Sequence, residues 1–293
     1  MTADITLKQC ADGVRDRLSA HYPPGEAQAL TRIVVEELLH YEPVDVVLHK
    51  DSIISPFMQE KIDKVVERLL NDEPVQYIFG KARFCGLEIK VTPDVLIPRP
   101  ETQELVDCIV KEWGDRSDLS VLDVCTGSGC IAVALARGLK WADVTAIDIS
   151  EAALGVARDN VTQLKVNVNV TLRQGDALAM ESPAEPLWDI IVSNPPYIAE
   201  NEKRDMEQNV LRYEPHLALF VPDNDPLRFY KAIGRYAAAS LRAGGELYFE
   251  INPLYRDALV TMLEGEGLVD VESWADAEGR QRFVKAKSPR DDG

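Results

Sequence analysis

The chain has 293 residues, 46% of them hydrophobic and 28% charged, enough for one large domain or two smaller ones with separate cores. Its formal charge is −17, with 32 Lys and Arg against 49 Asp and Glu and no basic run, which argues against nucleic acid as a direct partner. Five scattered cysteines without a CxxC pair, beside four histidines that do not cluster with them, argue against a disulfide framework or a metal site.

No stretch approaches the roughly 20 apolar residues of a membrane helix. The opening MTADITLKQCADG has no basic segment followed by an apolar run, so the expectation is a cytoplasmic protein without membrane attachment.

The first 73 residues read as a small helical domain. Apolar residues recur at helical spacing in Ile33, Val34, Leu38 and Leu39, and again in Ile62, Val65, Val66, Leu69 and Leu70. Ser55 before Pro56 is a helix start, with a capping hydroxyl and a proline in the first turn. From Val75 to Ile97 polar and apolar residues alternate around Gly80 and Gly86, which predicts a β-hairpin linker over residues 74–98. A helix is expected from Glu101 to Trp113.

The catalytic domain expected over 99–287 alternates short apolar runs with helical patterns. Residues 121–124, 144–149, 168–173 and 189–193 read as strands, and 129–139, 150–164 and 226–242 as helices. Strand–helix alternation of this length means a doubly wound α/β fold with a parallel sheet. Residues 245–251 and 268–286 add strands that end in an antiparallel pair, and 288–293 read as a loose tail.

In open α/β sheets ligands bind beyond the carboxyl ends of the strands. The segment Asp123-Val124-Cys125-Thr126-Gly127-Ser128-Gly129 lies at such an end, with glycines where backbone must approach a ligand. Asp148 ends the next strand, about 20 residues on, where a carboxylate accepts ribose hydroxyls. Asp176 ends the third, placed to accept an adenine amino group. The full GxGxxG of a dinucleotide site is absent, so a single adenosine with a short cationic tail fits better. Asp123 is a candidate partner for an amino acid ammonium group, with a buried structural carboxylate as the plain alternative.

The most specific segment is Ser193-Asn194-Pro195-Pro196-Tyr197 at the fourth strand end. The Asn194 side-chain oxygen and the Pro195 carbonyl can both accept from a planar NH₂ group, and neither proline offers a competing N–H. The residue before a proline is held extended, which fixes the direction of Asn194. Pro196 completes the socket, and Tyr197 is expected to lay its ring against the planar group. Such a socket suits methyl transfer from a sulfonium to a weakly nucleophilic amide or amino nitrogen.

With these motifs, LIPRPETQELVD (96–107), EPVQYIFGKARFCGLEIKVTPDV (73–95), YEPHLALF (213–220) and DAEGRQRFV (276–284), the chain resembles the HemK-type release factor glutamine methyltransferases. The resemblance runs from about residue 30 to 287. It implies a seven-stranded class I methyltransferase sheet behind the helical domain and hairpin. It further implies S-adenosylmethionine as cofactor, S-adenosylhomocysteine as product, and class I peptide chain release factors as partners, methylated on the glutamine of a Gly-Gly-Gln motif.

By the same resemblance Cys125, Thr126, Gly127, Ser128, Gly129, Asp148 and Asn194 hold the cofactor, and Asn194, Pro195, Pro196 and Tyr197 the substrate. Arg99, Pro100, Glu101 and Thr102 fall in a motif near the substrate-side opening. Three positions depart from the pattern. Cys125 replaces the first loop glycine, which requires a negative φ there; Ala177 replaces an aromatic beside the adenine; and Asn252 stands where a glycine is common.

The alternatives are a glutamine methyltransferase acting on a ribosomal protein, a DNA amino-methyltransferase, and a non-catalytic scaffold. The core motifs barely separate the first. The second needs a basic cleft that the composition does not offer. An intact Asn194 socket speaks against the third.

Overall fold

The computed structural model describes residues 5–289. The chain divides into two compact units, Met1–Gly80 and Lys81–Gly293.

In the first unit β1 (Ile5–Thr6) pairs antiparallel with β2 (Ile53–Ile54), and the rest is helical. Helices α1 (Leu7–Leu18), α2 (Pro24–Leu39), α3 (Pro43–Leu48), α4 (Pro56–Leu69) and α5 (Val75–Phe79) follow in order. One apolar face each of α1, α2 and α4 closes a core around Leu7, Val14, Leu18, Val34, Val66 and Leu69. Ser55 caps α4 as expected, its hydroxyl accepting from the Met58 N–H at 3.2 Å.

The hairpin is shorter than the sequence suggests. Residues 75–79 are helical, entered from Pro74 and stopped by Gly80 at φ 70°. A left-handed glycine closing a helix is the physical reason the alternating pattern misleads there. The hairpin itself is β3 (Lys81–Phe84) and β4 (Leu87–Lys90), turning at Cys85 and Gly86, both at positive φ.

The second unit then runs through α6 (Pro100–Trp113), β5 (Ser120–Val124), α7 (Cys130–Gly138), β6 (Asp143–Asp148), α8 (Glu151–Gln163), β7 (Val170–Gln174) and β8 (Trp188–Ser193). It continues with β9 (Ile198–Ala199), α9 (Gln208–Tyr213), β10 (Phe220–Val221), α10 (Arg228–Ser240), β11 (Leu241–Glu250), α11 (Arg256–Gly265), β12 (Val269–Ala275) and β13 (Gln281–Lys287). Seven strands form one sheet in the order β12-β13-β11-β8-β5-β6-β7. It is parallel except that β13 runs antiparallel to both its neighbours. This is the α/β class I methyltransferase sheet that the resemblance implies.

The topology places the site. Chain order runs outward from β5 through β6 to β7, then returns to the other side of β5 with β8. That reversal opens a crevice beyond the carboxyl ends of β5 and β8. Val124 is the register partner of Ser193, which in turn pairs with Phe249 of β11. Segments 125–129, 194–197 and 250–252 therefore leave the sheet side by side.

Part of the tail expected at 288–293 falls among the described residues. Ser288 is buried, and its N–H donates to the Gly245 carbonyl at 2.9 Å. Residues 290–293 lie outside the described residues. Among the described residues no helix is long and apolar enough to cross a membrane.

Candidate active site

The β5–α7 loop turns on three left-handed residues, Cys125 at φ 63°, Gly127 at 55° and Gly129 at 77°. Gly129 is favoured on two counts, its left-handed φ and the 3.1 Å at which a Cβ there would approach the Ala157 Cβ of α8. Gly127 faces open space, so a ligand can approach its backbone closely.

Cys125 corrects the expectation of a negative φ. A side chain holds the left-handed conformation here at a cost of about 1 kcal/mol. Its thiol packs against the main core of this unit, and burial drives its pKa far above the ordinary value. Cys125→Gly is expected to be about 1 kcal/mol more stable than Cys125→Ala, since both lose the thiol and only alanine keeps the strained Cβ. Equal denaturation midpoints for the two variants would show that the loop is relaxed.

Asp123 is fully buried and does not line the cavity described below. Its Oδ2 accepts from the Thr126 hydroxyl and, at 3.2 Å, from the Ala132 N–H, binding the loop to the start of α7. Asp123 thus ties the loop through Oδ2, while its buried Oδ1 has no hydrogen-bond partner among the described residues. Burial pushes its pKa up from 3.8 to about 7, against the pull of those two hydrogen bonds.

The native state thus binds the Asp123 proton more tightly than the unfolded chain does. Its contribution makes stability fall as pH rises from 3.8 to about 7. Asp123→Asn keeps the acceptor and is expected to flatten that part of the stability profile. Chemical denaturation at pH 5 and pH 8 checks this, and an unchanged slope would refute it.

Asp148 ends β6 with each oxygen engaged once. Oδ2 accepts from the Gly127 N–H at 2.8 Å and Oδ1 from the Ser150 N–H at 2.9 Å. Each oxygen keeps acceptor capacity for a further donor. Desolvation raises its pKa, opposed by the backbone donors. Asp176, at the next strand end, is exposed and accepts from the Leu178 N–H at 2.8 Å; Ala177 beside it is buried.

These residues surround a cavity of about 430 Å³. Cys125, Thr126, Gly127, Ser128, Asp148, Asp176, Ala177, Asn194 and Pro196 all line it, and Gly129 turns the chain just behind. That volume lies in the range of small-molecule and cofactor sites. The wall is mostly apolar, with Leu96, Phe220 and Phe229 among its larger members.

Pro195 and Tyr197 do not line this cavity themselves. The Tyr197 hydroxyl donates to Glu250 Oε1 at 3.0 Å, and burial with that carboxylate raises its pKa. The Tyr197 hydroxyl is thus anchored on β11, which fixes the position of the ring. Asn194 lines the cavity and donates from Nδ2 to the Thr102 hydroxyl at 3.1 Å. Neither the Asn194 Oδ1 nor the Pro195 carbonyl receives a hydrogen bond from the described residues.

The remaining motifs converge on the same place. Glu214, buried in the 213–220 segment, accepts from Arg99 and, at 3.3 Å, from the Ile97 N–H. The 276–284 turn is held to α6 by the Ala277 N–H donating to Glu104 at 3.0 Å. Asn252, the third departure, needs no glycine because its φ is −76°. Its Oδ1 caps the Leu254 N–H at 3.1 Å, and its Nδ2 donates to the Tyr197 carbonyl at 3.2 Å.

Two partners were not assigned from the sequence. The motifs assign no individual role to Thr102 or to Glu250 in the strand over 245–251. An acid in an otherwise apolar strand is seldom buried without a partner, and that was the available signal.

Family models match both units: the PrmC N-terminal domain over residues 11–80 and the Methyltransferase small domain over residues 100–216. The chain is 46% identical to the release factor glutamine methyltransferase of Bacteroides thetaiotaomicron over 273 residues, covering 93% of this chain and 97% of that one. It is 39% identical to the enzyme of the same name from Flavobacterium psychrophilum, over 92% of this chain and 94% of that one. Among solved structures, a methyltransferase from Pyrococcus furiosus shares the fold at a TM-score of 0.52 and 19% identity, covering 76% of this chain and 97% of that one. The catalytic domain of hMettl16 shares it at 0.54 and 18%, covering 71% and 77%. Identity at this level over nearly the full length, with family models matching both units, places the chain in the release factor glutamine methyltransferase family.

Proposed function

We propose that the chain methylates the side-chain nitrogen of the glutamine in the Gly-Gly-Gln motif of class I peptide chain release factors, using S-adenosylmethionine. The observation that carries this is Asn194, on the cavity wall with its Nδ2 engaged and its Oδ1 without a donor. That oxygen and the Pro195 carbonyl are the acceptors for the two N–H bonds of a planar amide.

Asp148 is the acceptor for the ribose hydroxyls and Asp176 for the adenine amino group, with Ala177 in the wall between apolar neighbours. The loop from Cys125 to Gly129 lets backbone approach the rest of the nucleoside. When bound, S-adenosylmethionine supplies a methyl group activated by its sulfonium, leaving S-adenosylhomocysteine.

An amide nitrogen is a weak nucleophile because its lone pair is delocalised. Holding both N–H bonds in fixed acceptors moves electron density onto nitrogen and aims it, and effects of this kind contribute several kcal/mol each. The extra proton is lost to water after transfer, so no strong base is needed in the site.

A charge of −17 suits a basic partner, and translation termination places the reaction in the cytoplasm. The test offers tritiated S-adenosylmethionine with unmethylated class I release factor, and in parallel with ribosomal proteins and duplex DNA. Label in the release factor supports the proposal; label only in a ribosomal protein or in DNA overturns the substrate.

A further inference from the structure

The wall holding Asn194 has a polar chain behind it that binding alone does not explain. The Thr102 hydroxyl donates to Glu250 Oε2 at 2.6 Å, and Tyr197 occupies Oε1 of the same carboxylate. Thr102 is 3% exposed and Glu250 2%. Thr102 leads out of the Arg99 motif on α6, Glu250 ends β11, and Asn194 follows β8, so three separate elements meet here.

A hydroxyl has one proton to give. Thr102 gives it to Glu250, both of whose oxygens accept here, Oε2 from Thr102 and Oε1 from Tyr197. The Thr102 oxygen therefore has only a lone pair to offer Asn194, and it meets the Nδ2 amino group. Nitrogen and oxygen of an asparagine side chain have nearly the same shape, so packing alone hardly distinguishes the two orientations. Hydrogen-bond polarity does.

We infer that Glu250 and Thr102 are positioning residues that fix the Asn194 side chain with its oxygen, and not its amino group, available to the substrate. A glutamine at 250 breaks this one-way order. Its amino group can donate to Thr102, which then gives its own proton to the Asn194 oxygen. The flipped Asn194 then offers a donor where the substrate amide needs an acceptor. The inverted site still fits the cofactor and still folds, yet it transfers poorly.

This inference rests on the proposed reaction, and its test separates the two. Thr102→Val, Thr102→Ser and Glu250→Gln are compared with the unaltered chain, using S-adenosylmethionine and an unmethylated class I release factor. The expected result is a kcat lowered about tenfold or more in Thr102→Val and Glu250→Gln. The release factor KM and the calorimetric cofactor Kd stay within about twofold, because only the aim of one amide has changed. Thr102→Ser restores the hydroxyl and recovers most of the lost kcat.

A second readout needs no turnover. The Asn194 side-chain NH₂ signals, assigned in a ¹⁵N spectrum by their loss in Asn194→Ala, are expected to shift in Thr102→Val and Glu250→Gln and to return in Thr102→Ser. Unmoved signals, an unchanged kcat in Thr102→Val and Glu250→Gln, or a KM rising in step with any loss overturns the inference. No transfer to release factor by the unaltered chain overturns the proposed reaction instead, and the NMR comparison still decides the orientation.

Discussion

Asn194→Ala is expected to lower kcat for glutamine methylation by about 10²–10³-fold, the range seen when one preorganised hydrogen-bonding group is removed from a reacting centre. The substitution deletes the acceptor and also the link to Thr102. It leaves the sheet intact, because Ser193 still pairs with Phe249 and its hydroxyl still donates to the Val124 carbonyl at 2.6 Å. The melting temperature should therefore move little while single-turnover transfer collapses. A variant that kept more than about a tenth of the wild-type rate would show that the amide is aimed by other groups.

The second large effect belongs to Asp148. Its carboxylate holds the glycine loop and the start of α8 through the N–H groups of Gly127 and Ser150. It is also the proposed acceptor for two ribose hydroxyls. Charge-assisted hydrogen bonds of about 1.5 kcal/mol each make Asp148→Ala roughly 100-fold weaker for S-adenosylmethionine. Asp148→Asn keeps one acceptor and should lose about tenfold. Calorimetry reads both directly, and an unchanged Kd in the alanine variant would remove Asp148 from the cofactor site.

Asn194 and Asp148 act on different quantities. One is expected to change turnover with cofactor affinity retained, the other cofactor affinity first. That separation follows from their places at the ends of β8 and β6, on opposite sides of the central strand β5.

Much of this architecture was legible in the residues. Strand and helix alternation located β5, β6, β7 and β8, because the inner strands of a sheet covered on both faces read as short apolar runs. Ser55 with Pro56 marked a helix start that the hydroxyl indeed caps. The sites at the strand ends were legible for the same reason: parallel topology brings carboxyl ends together whatever the intervening sequence.

What escaped was local backbone and long-range polarity. Residues 75–79 alternate like a strand yet form a turn of helix, since Pro74 and Gly80 set its ends and alternation over five residues cannot outweigh them. Cys125 reads as a misfit at a glycine position, and only its φ of 63° shows that the turn tolerates it at a cost in strain. Asp123 reads equally as a ligand or as a buried carboxylate, and no spacing in the sequence shows its Oδ2 turned to Thr126 and Ala132.

The partnership of Thr102 with Glu250 spans 148 residues, and no spacing rule in one sequence reports a contact of that kind. Glu214 with Arg99, 115 residues apart, is another. Both pairs tie α6 to segments beyond β8, which is why motifs distant in sequence enclose one cavity.

The measurement closest to the central claim is peptide mass spectrometry of an unmethylated class I release factor after incubation with the protein and S-adenosylmethionine. A single methyl group is expected on the glutamine of the Gly-Gly-Gln motif, absent when Asn194→Ala replaces the protein. A methyl on any other residue, or no methyl from a protein that binds the cofactor, would contradict it.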